Sequence, residues 1–330
     1  MSWGKKGKNL SNFIKDEDCL IAIDGGARNG PKDFDKISDL SAIFCFEPSP
    51  EEYKKILSLE KKSNLPKKNS TYISPNALCD YDGETILNIS ARPGATSTLE
   101  PNKSCLYHFR EDNWSDLAKI IAKQKVPCIK LATFMKENKL EYIDFLKLDT
   151  QGNELDIIKS IGSKISNVSV IKTEVEMIPM YKNQPLFHDV SSFLYQNGFE
   201  LIDFQVSESC KRYHSRSDLN PNSYRIVWGD AIYINSPYDF NKERAFQSSI
   251  ILATLGYCDL ALYILNNIPT IPKKDKKYIE NIFLKMSNKN SLKQFLKSRF
   301  EKLTNTIVKG GYNWGTGKKV KKYVEFMDWQ

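Results

Sequence analysis

Three acids in this 330-residue chain stand where an apolar run stops and a turn begins: Asp24, Glu47 and Asp149. Asp24 ends LIAID and opens DGGARNG, residues 24–30, in which Gly26 and Gly30 would let backbone approach a ligand closely. A dinucleotide site holds its pyrophosphate with glycines spaced G-x-G-x-x-G. The spacing here differs and points instead to S-adenosylmethionine, whose amino acid half would lie on the turn with an acid near its ammonium group. Glu47 follows 23 residues after Asp24, at the end of IFCFE. An acid at that distance is placed to accept both hydroxyls of a ribose. Asp149 leaves FLKLD ahead of Gly152, and farther on come Glu174, Glu176, Tyr181 and His188.

Elements that would gather these residues can be read from the spacing of apolar positions. Strands are predicted at 20–24, 41–48, 70–78, 84–90, 142–149, 168–176, 199–205 and 230–235. Helices are predicted at 49–62, 153–162 and 189–198, and 126–139 reads as a short strand followed by a helix. The alternation predicts an α/β fold with a doubly wound, mostly parallel sheet. In such a sheet ligands bind beyond the carboxyl ends of the strands, so Asp24, Glu47 and Asp149 are expected to share one crevice. The polar loop ARPGATSTLEPN, 91–102, reads equally as a lid over it or as ordinary surface. Residues 1–19 form a lysine-rich entry segment, 20–238 the main domain, and 239–330 a helical, lysine-rich C-terminal region opening with a hairpin over 242–268.

Charge follows the same division. The chain carries a net +8, yet 241–330 alone holds 17 basic against 7 acidic residues, so the front is nearly neutral. A basic tail suits an anionic surface such as membrane, nucleic acid or phosphorylated glycan, or is simply a solvated helical face. The seven cysteines are scattered without a C-x-x-C pair, which argues against a disulfide framework or zinc site and fits a reducing, cytoplasmic setting. No apolar run is long enough for a transmembrane helix, and no signal peptide is expected. No compact cluster of metal-ligand residues occurs, so no required metal is expected, although Asp149 with Glu174 would suit Mg²⁺.

Four segments in order resemble the FkbM-type methyltransferases: DGGARNG at 24–30, FCFEPSP at 44–50, KLDTQGNE at 147–154, and TEVEMIPMYKNQPLF with LYQNGFELIDF downstream. The resemblance covers roughly 20–235 and implies a Rossmann-like class I methyltransferase fold. It also implies methyl transfer from S-adenosylmethionine to an oxygen nucleophile, commonly a sugar hydroxyl, or a hydroxyl of a lipid-linked or small-molecule acceptor. Cofactor contacts then fall to Asp24, Gly26, Gly30 and Glu47, with Asn76, Ala77 and Leu78 beside the adenine. Candidates for the general base are Asp149, nearest the expected methyl, then Glu174 and His188; His108 and His214 lie in polar loops. Arg28 and Gln151 depart from the family, which usually has Asn and Glu there. Arg28 would either contact an acceptor's carboxylate or phosphate, or point to solvent. The two departures keep open a second reading, a catalytically weakened module whose basic tail docks on nucleic acid or an anionic surface.

Overall fold

A computed structural model describes residues 10–63, 65–106, 119–211, 224–239 and 243–286. The strands are β1 (Leu20–Gly25), β2 (Ser41–Phe46), β3 (Ser70–Ser74), β4 (Ala77–Leu78), β5 (Gly83–Ser90), β6 (Ile120–Ile129), β7 (Ile143–Leu148), β8 (Val168–Glu176), β9 (Phe199–Lys211) and β10 (Tyr224–Asn235). Seven of them form one sheet in the order β3-β2-β1-β7-β8-β10-β9. Pairings from β3 through β8 are parallel, and β10 runs antiparallel to both of its neighbours. The prediction of a mostly parallel α/β sheet therefore stands, with a closing antiparallel hairpin β9–β10.

Continuous apolar runs arise because the central strands are covered on both faces. Side chains alternate: in β2, Ile43 and Cys45 enter one core layer while Ala42, Phe44 and Phe46 enter the other. The second layer is closed by the helices Leu131–Glu137, Glu154–Lys159 and Phe187–Gln196. The first layer is closed from the far end of the chain. Helices Ala245–Leu255 and Cys258–Asn267, separated by Gly256, and a helix over 273–286 place Ile250, Ile251, Leu265 and Phe283 against Leu20, Ala22 and Phe145. Leu10 and Ile14 join the same layer. The start of the region assigned to 239–330, and part of the 1–19 segment, thus belong to the core of the sheet. The lysine-rich stretch after 286 lies outside the described residues, as do His108 and His214.

Strand order sets the place of the site. From β1 the chain moves outward to β2 and β3, then returns to β7 on the other side of β1. That reversal opens a crevice at the carboxyl ends of β1 and β7. A three-stranded sheet in the order β4-β6-β5, inserted between β3 and β7, supplies one wall of it. Two expectations change here. The run 70–78 is not one strand: Pro75 cannot donate to a ladder, so β3 stops at Ser74 and β4 joins the small sheet beside Cys128 and Ile129. The strand expected from Val126 begins at Ile120, because β6 pairs with β5 as an exposed ribbon whose residues 122–125 need no apolar face. Among the described residues no helix is long and apolar enough to cross a membrane.

Candidate active site

The crevice is a cleft of about 720 Å³, within the ~300–1,000 Å³ range of small-molecule sites. Asp24, Gly26, Gly30, Glu47, Ala77, Leu78, Asp149 and Glu174 all line it. The glycine turn is held by backbone: Gly26 and Ala27 donate to the Phe46 carbonyl, and Asp149 N donates to the Gly25 carbonyl. These bonds draw the ends of β1, β2 and β7 together. Gly26 has φ +84°, and a Cβ built there would lie 2.0 Å from the Asp149 carbonyl oxygen, so only glycine allows the two turns to meet.

Asp24 is 2% exposed, which is tolerable for a carboxylate only with a partner. The partner is Lys147, its register neighbour on β7, with Nζ 2.9 Å from Asp24 Oδ1. Burial pushes the Asp24 carboxyl above the usual range despite this contact. Lys147 in turn neighbours Lys172 on β8. Asp33 approaches both, at 3.9 and 3.7 Å, and Asp230 lies 3.2 Å from Lys172. Charges of alternating sign therefore cross the floor of the cleft. In the sequence Lys147 stands out only as a lysine inside an otherwise apolar run, and its role comes from its register with Asp24.

Glu47 is buried at the end of β2. One carboxylate oxygen accepts from Ser49 N at 2.9 Å, and burial raises its pKa from 4.5 to about 7. Its acceptance of Ser49 N also anchors the start of the helix Pro50–Ile56.

The turn after β7 carries the densest polar cluster. Glu154 folds back and accepts from Thr150 N, Thr150 Oγ1 and Gly152 N at 2.7, 3.0 and 2.9 Å, so it shapes the turn. Gln151 takes a left-handed φ of +64°, a conformation that persists only where surroundings fix it. They do: Nε2 donates to Asp149 Oδ1 at 2.8 Å and to Glu174 Oε2 at 2.5 Å, while Oε1 accepts from the Tyr181 hydroxyl at 3.1 Å. Burial first, then the Asp149 charge, pushes Glu174 well above the carboxylate range. Glu176, behind it, is raised chiefly by burial as well. The 91–102 loop is attached to this turn, with Ser97 Oγ donating to the Gln151 carbonyl at 2.7 Å and Tyr181 OH reaching the Ala95 carbonyl at 3.2 Å. Gly94, Ser97 and Thr98 border the cleft.

Two expected residues lie elsewhere. His188 is the second residue of the helix Phe187–Gln196, its side chain is 75% exposed with Nε2 3.5 Å from Asp189 Oδ1, and the helix carries it to the surface, away from the cleft. Asn76 sits in the bend after Pro75 with its N bonded to Ser74 Oγ, beside the cleft wall and not on it. Among the described residues no three His, Cys, Asp or Glu side chains are grouped as ligands for a metal ion. Compared with known proteins, residues 24–201 match the family model of the methyltransferase FkbM domain. Neither the curated proteins nor the solved structures yield a match.

Proposed function

The chain belongs to the FkbM methyltransferase family, and on that premise we propose that it moves a methyl group from S-adenosylmethionine to a hydroxyl of a sugar or glycan acceptor. One observation carries the reading: acids from the ends of neighbouring parallel strands, Glu47, Asp24 and Asp149, border a single cleft together with Glu174. The residues fit the cofactor. Glu47 has one oxygen committed to Ser49 N and the other available to a ribose. The Gly26 turn leaves backbone at the cleft, and an acid-rich lining suits a ligand bearing sulfonium and ammonium charges.

Bound S-adenosylmethionine supplies a methyl group already activated on its sulfonium. The protein's task is to hold the acceptor oxygen in line with that group and to receive its proton. Asp149 takes the proton: it leaves β7 at the glycine turn, whereas burial and the neighbouring Asp149 charge push the Glu174 carboxyl well above the usual carboxylate range. Gln151 fixes both carboxyls through one amide nitrogen. Glu174 and Asp230, beside the Trp228 side chain, offer hydroxyl acceptors next to an aromatic surface at the β8–β10 end, a combination suited to a sugar.

Calorimetry with S-adenosylhomocysteine tests the cofactor: the protein should bind it, and Glu47→Ala should weaken binding about tenfold or more. Asp149→Asn should keep that affinity yet abolish labelled methyl transfer in a screen of glycans. A wild-type protein indifferent to S-adenosylhomocysteine would sink the proposal.

A further inference from the structure

Arg28 stands inside the glycine turn, lines the cleft and is half-buried. Its guanidinium reaches across toward the 91–102 loop, where a Cβ on Gly94 would lie 3.6 Å from Nη2. Cations elsewhere in the cleft are either paired or in solvent. Lys147 is held by Asp24, and Lys172 by Asp230 and Asp33. Lys32 and Arg92 are exposed. Among the described residues lining the cleft, Arg28 is thus the half-buried cation with no carboxylate within ion-pair distance. The field around it is negative, from Asp149, Glu47, Glu51 and Glu52. Such a lining favours the two positive groups of S-adenosylmethionine and repels its third charge, the carboxylate of the methionine end.

Resting on the cofactor reading above, we infer that Arg28 is the binding residue for that carboxylate. A guanidinium presents two parallel N–H groups to a carboxylate, and a half-buried setting makes the pair stronger than an exposed one. Placement in the turn beside the Asp24–Lys147 pair puts this positive group next to the backbone that Gly26 exposes, so Arg28 supplies charge where Asp24 is already neutralised.

The test compares S-adenosylmethionine with its decarboxylated form, which keeps the sulfonium, amine and nucleoside and lacks only the carboxylate. Calorimetry on the full chain should show the wild type preferring the intact cofactor by about tenfold or more. Arg28→Ala and Arg28→Gln should lose that preference, their affinity for the decarboxylated form staying within about twofold of wild type, and Arg28→Lys should fall between. Retained binding of the decarboxylated form also shows that the variants fold. If Arg28→Ala keeps the preference, or loses both ligands equally, the assignment is overturned while the cofactor reading stands. If the wild type binds neither ligand, both fall together.

Discussion

At Glu47 a carboxyl is kept where water is scarce, compensated by the Ser49 backbone N–H and, less strongly, by the Arg28 charge. Its pKa, raised from 4.5 to about 7, means that the folded protein retains a proton that the unfolded chain has already released. Stability from this group is therefore full below the unfolded value and falls as pH rises toward 7, by up to about 3 kcal/mol. Glu47→Gln should flatten that part of the stability profile and raise the denaturation midpoint at pH 8. The same variant should bind S-adenosylhomocysteine weakly at every pH, whereas the wild type should tighten from pH 6 to 8 as the carboxylate forms and becomes the stronger acceptor. Equal profiles for the two proteins would show that Glu47 does not meet the cofactor. Gln151 permits a second test. Glu in its place would put a third carboxyl between Asp149 and Glu174, where burial and like charge hold it protonated. The unfolded chain would release that proton first, so Gln151→Glu should lose stability as pH climbs above about 4.3. Urea titrations at pH 5.5 and 8 should show a larger deficit at the higher pH.

Between the strands, the site depends on how closely two turns approach. Gly26→Ala would drive a Cβ into the Asp149 carbonyl at 2.0 Å and keep φ at +84°. Backbone on both sides leaves no flexible side chain to yield, so a loss beyond about 3 kcal/mol is expected. Gly83→Ala also demands a positive φ, +138°, but meets nothing within 4 Å, so it should cost about 1–3 kcal/mol from backbone strain alone. Comparison of melting temperatures separates the two. How much of this was legible in the sequence follows burial. β1, β2, β7 and β8 are covered on both faces and announced themselves as apolar runs. The acids ending the first three, Asp24, Glu47 and Asp149, could be placed in one crevice before any contact was known. β6 could not be read in full, since residues 122–125 are exposed and their polar side chains resemble a loop. Lys147 and Gln151 were visible as letters, but their meaning lies in register and in a turn geometry that no spacing encodes. His188 failed for the opposite reason: a residue type suited to base chemistry sits on a helix whose cleft-distant side it occupies.

For the molecule as a whole, the question is whether the helices after residue 243 are a separable attachment. Asp144, fully buried at the start of β7, accepts from Ile21 N at 2.8 Å and from Arg244 Nε at 2.8 Å, and Arg244 Nη2 also donates to the Cys19 carbonyl at 2.9 Å. One ion pair thus ties β1, β7 and the first C-terminal helix together at the end of the sheet opposite the cleft. Removing Arg244 strands a buried charge, so Arg244→Ala should cost about 3–5 kcal/mol. Arg244→Met with Asp144→Leu, which removes both charges, should recover most of it if Ile21 N and the Cys19 carbonyl find other partners. Ending the chain at 238 is the more severe cut. It would bare Leu20, Ala22, Ile43, Phe145 and Val170, the face that Ile250, Ile251, Ile264 and Leu265 now cover. A sheet with one apolar face in water has lost about half the burial that offsets its chain entropy, and such a face is an association hazard. The truncated protein should therefore show no cooperative melting and should elute as aggregate. A soluble, cooperatively folded 1–238 fragment that still bound S-adenosylhomocysteine would mean that the helices decorate the sheet instead of completing it.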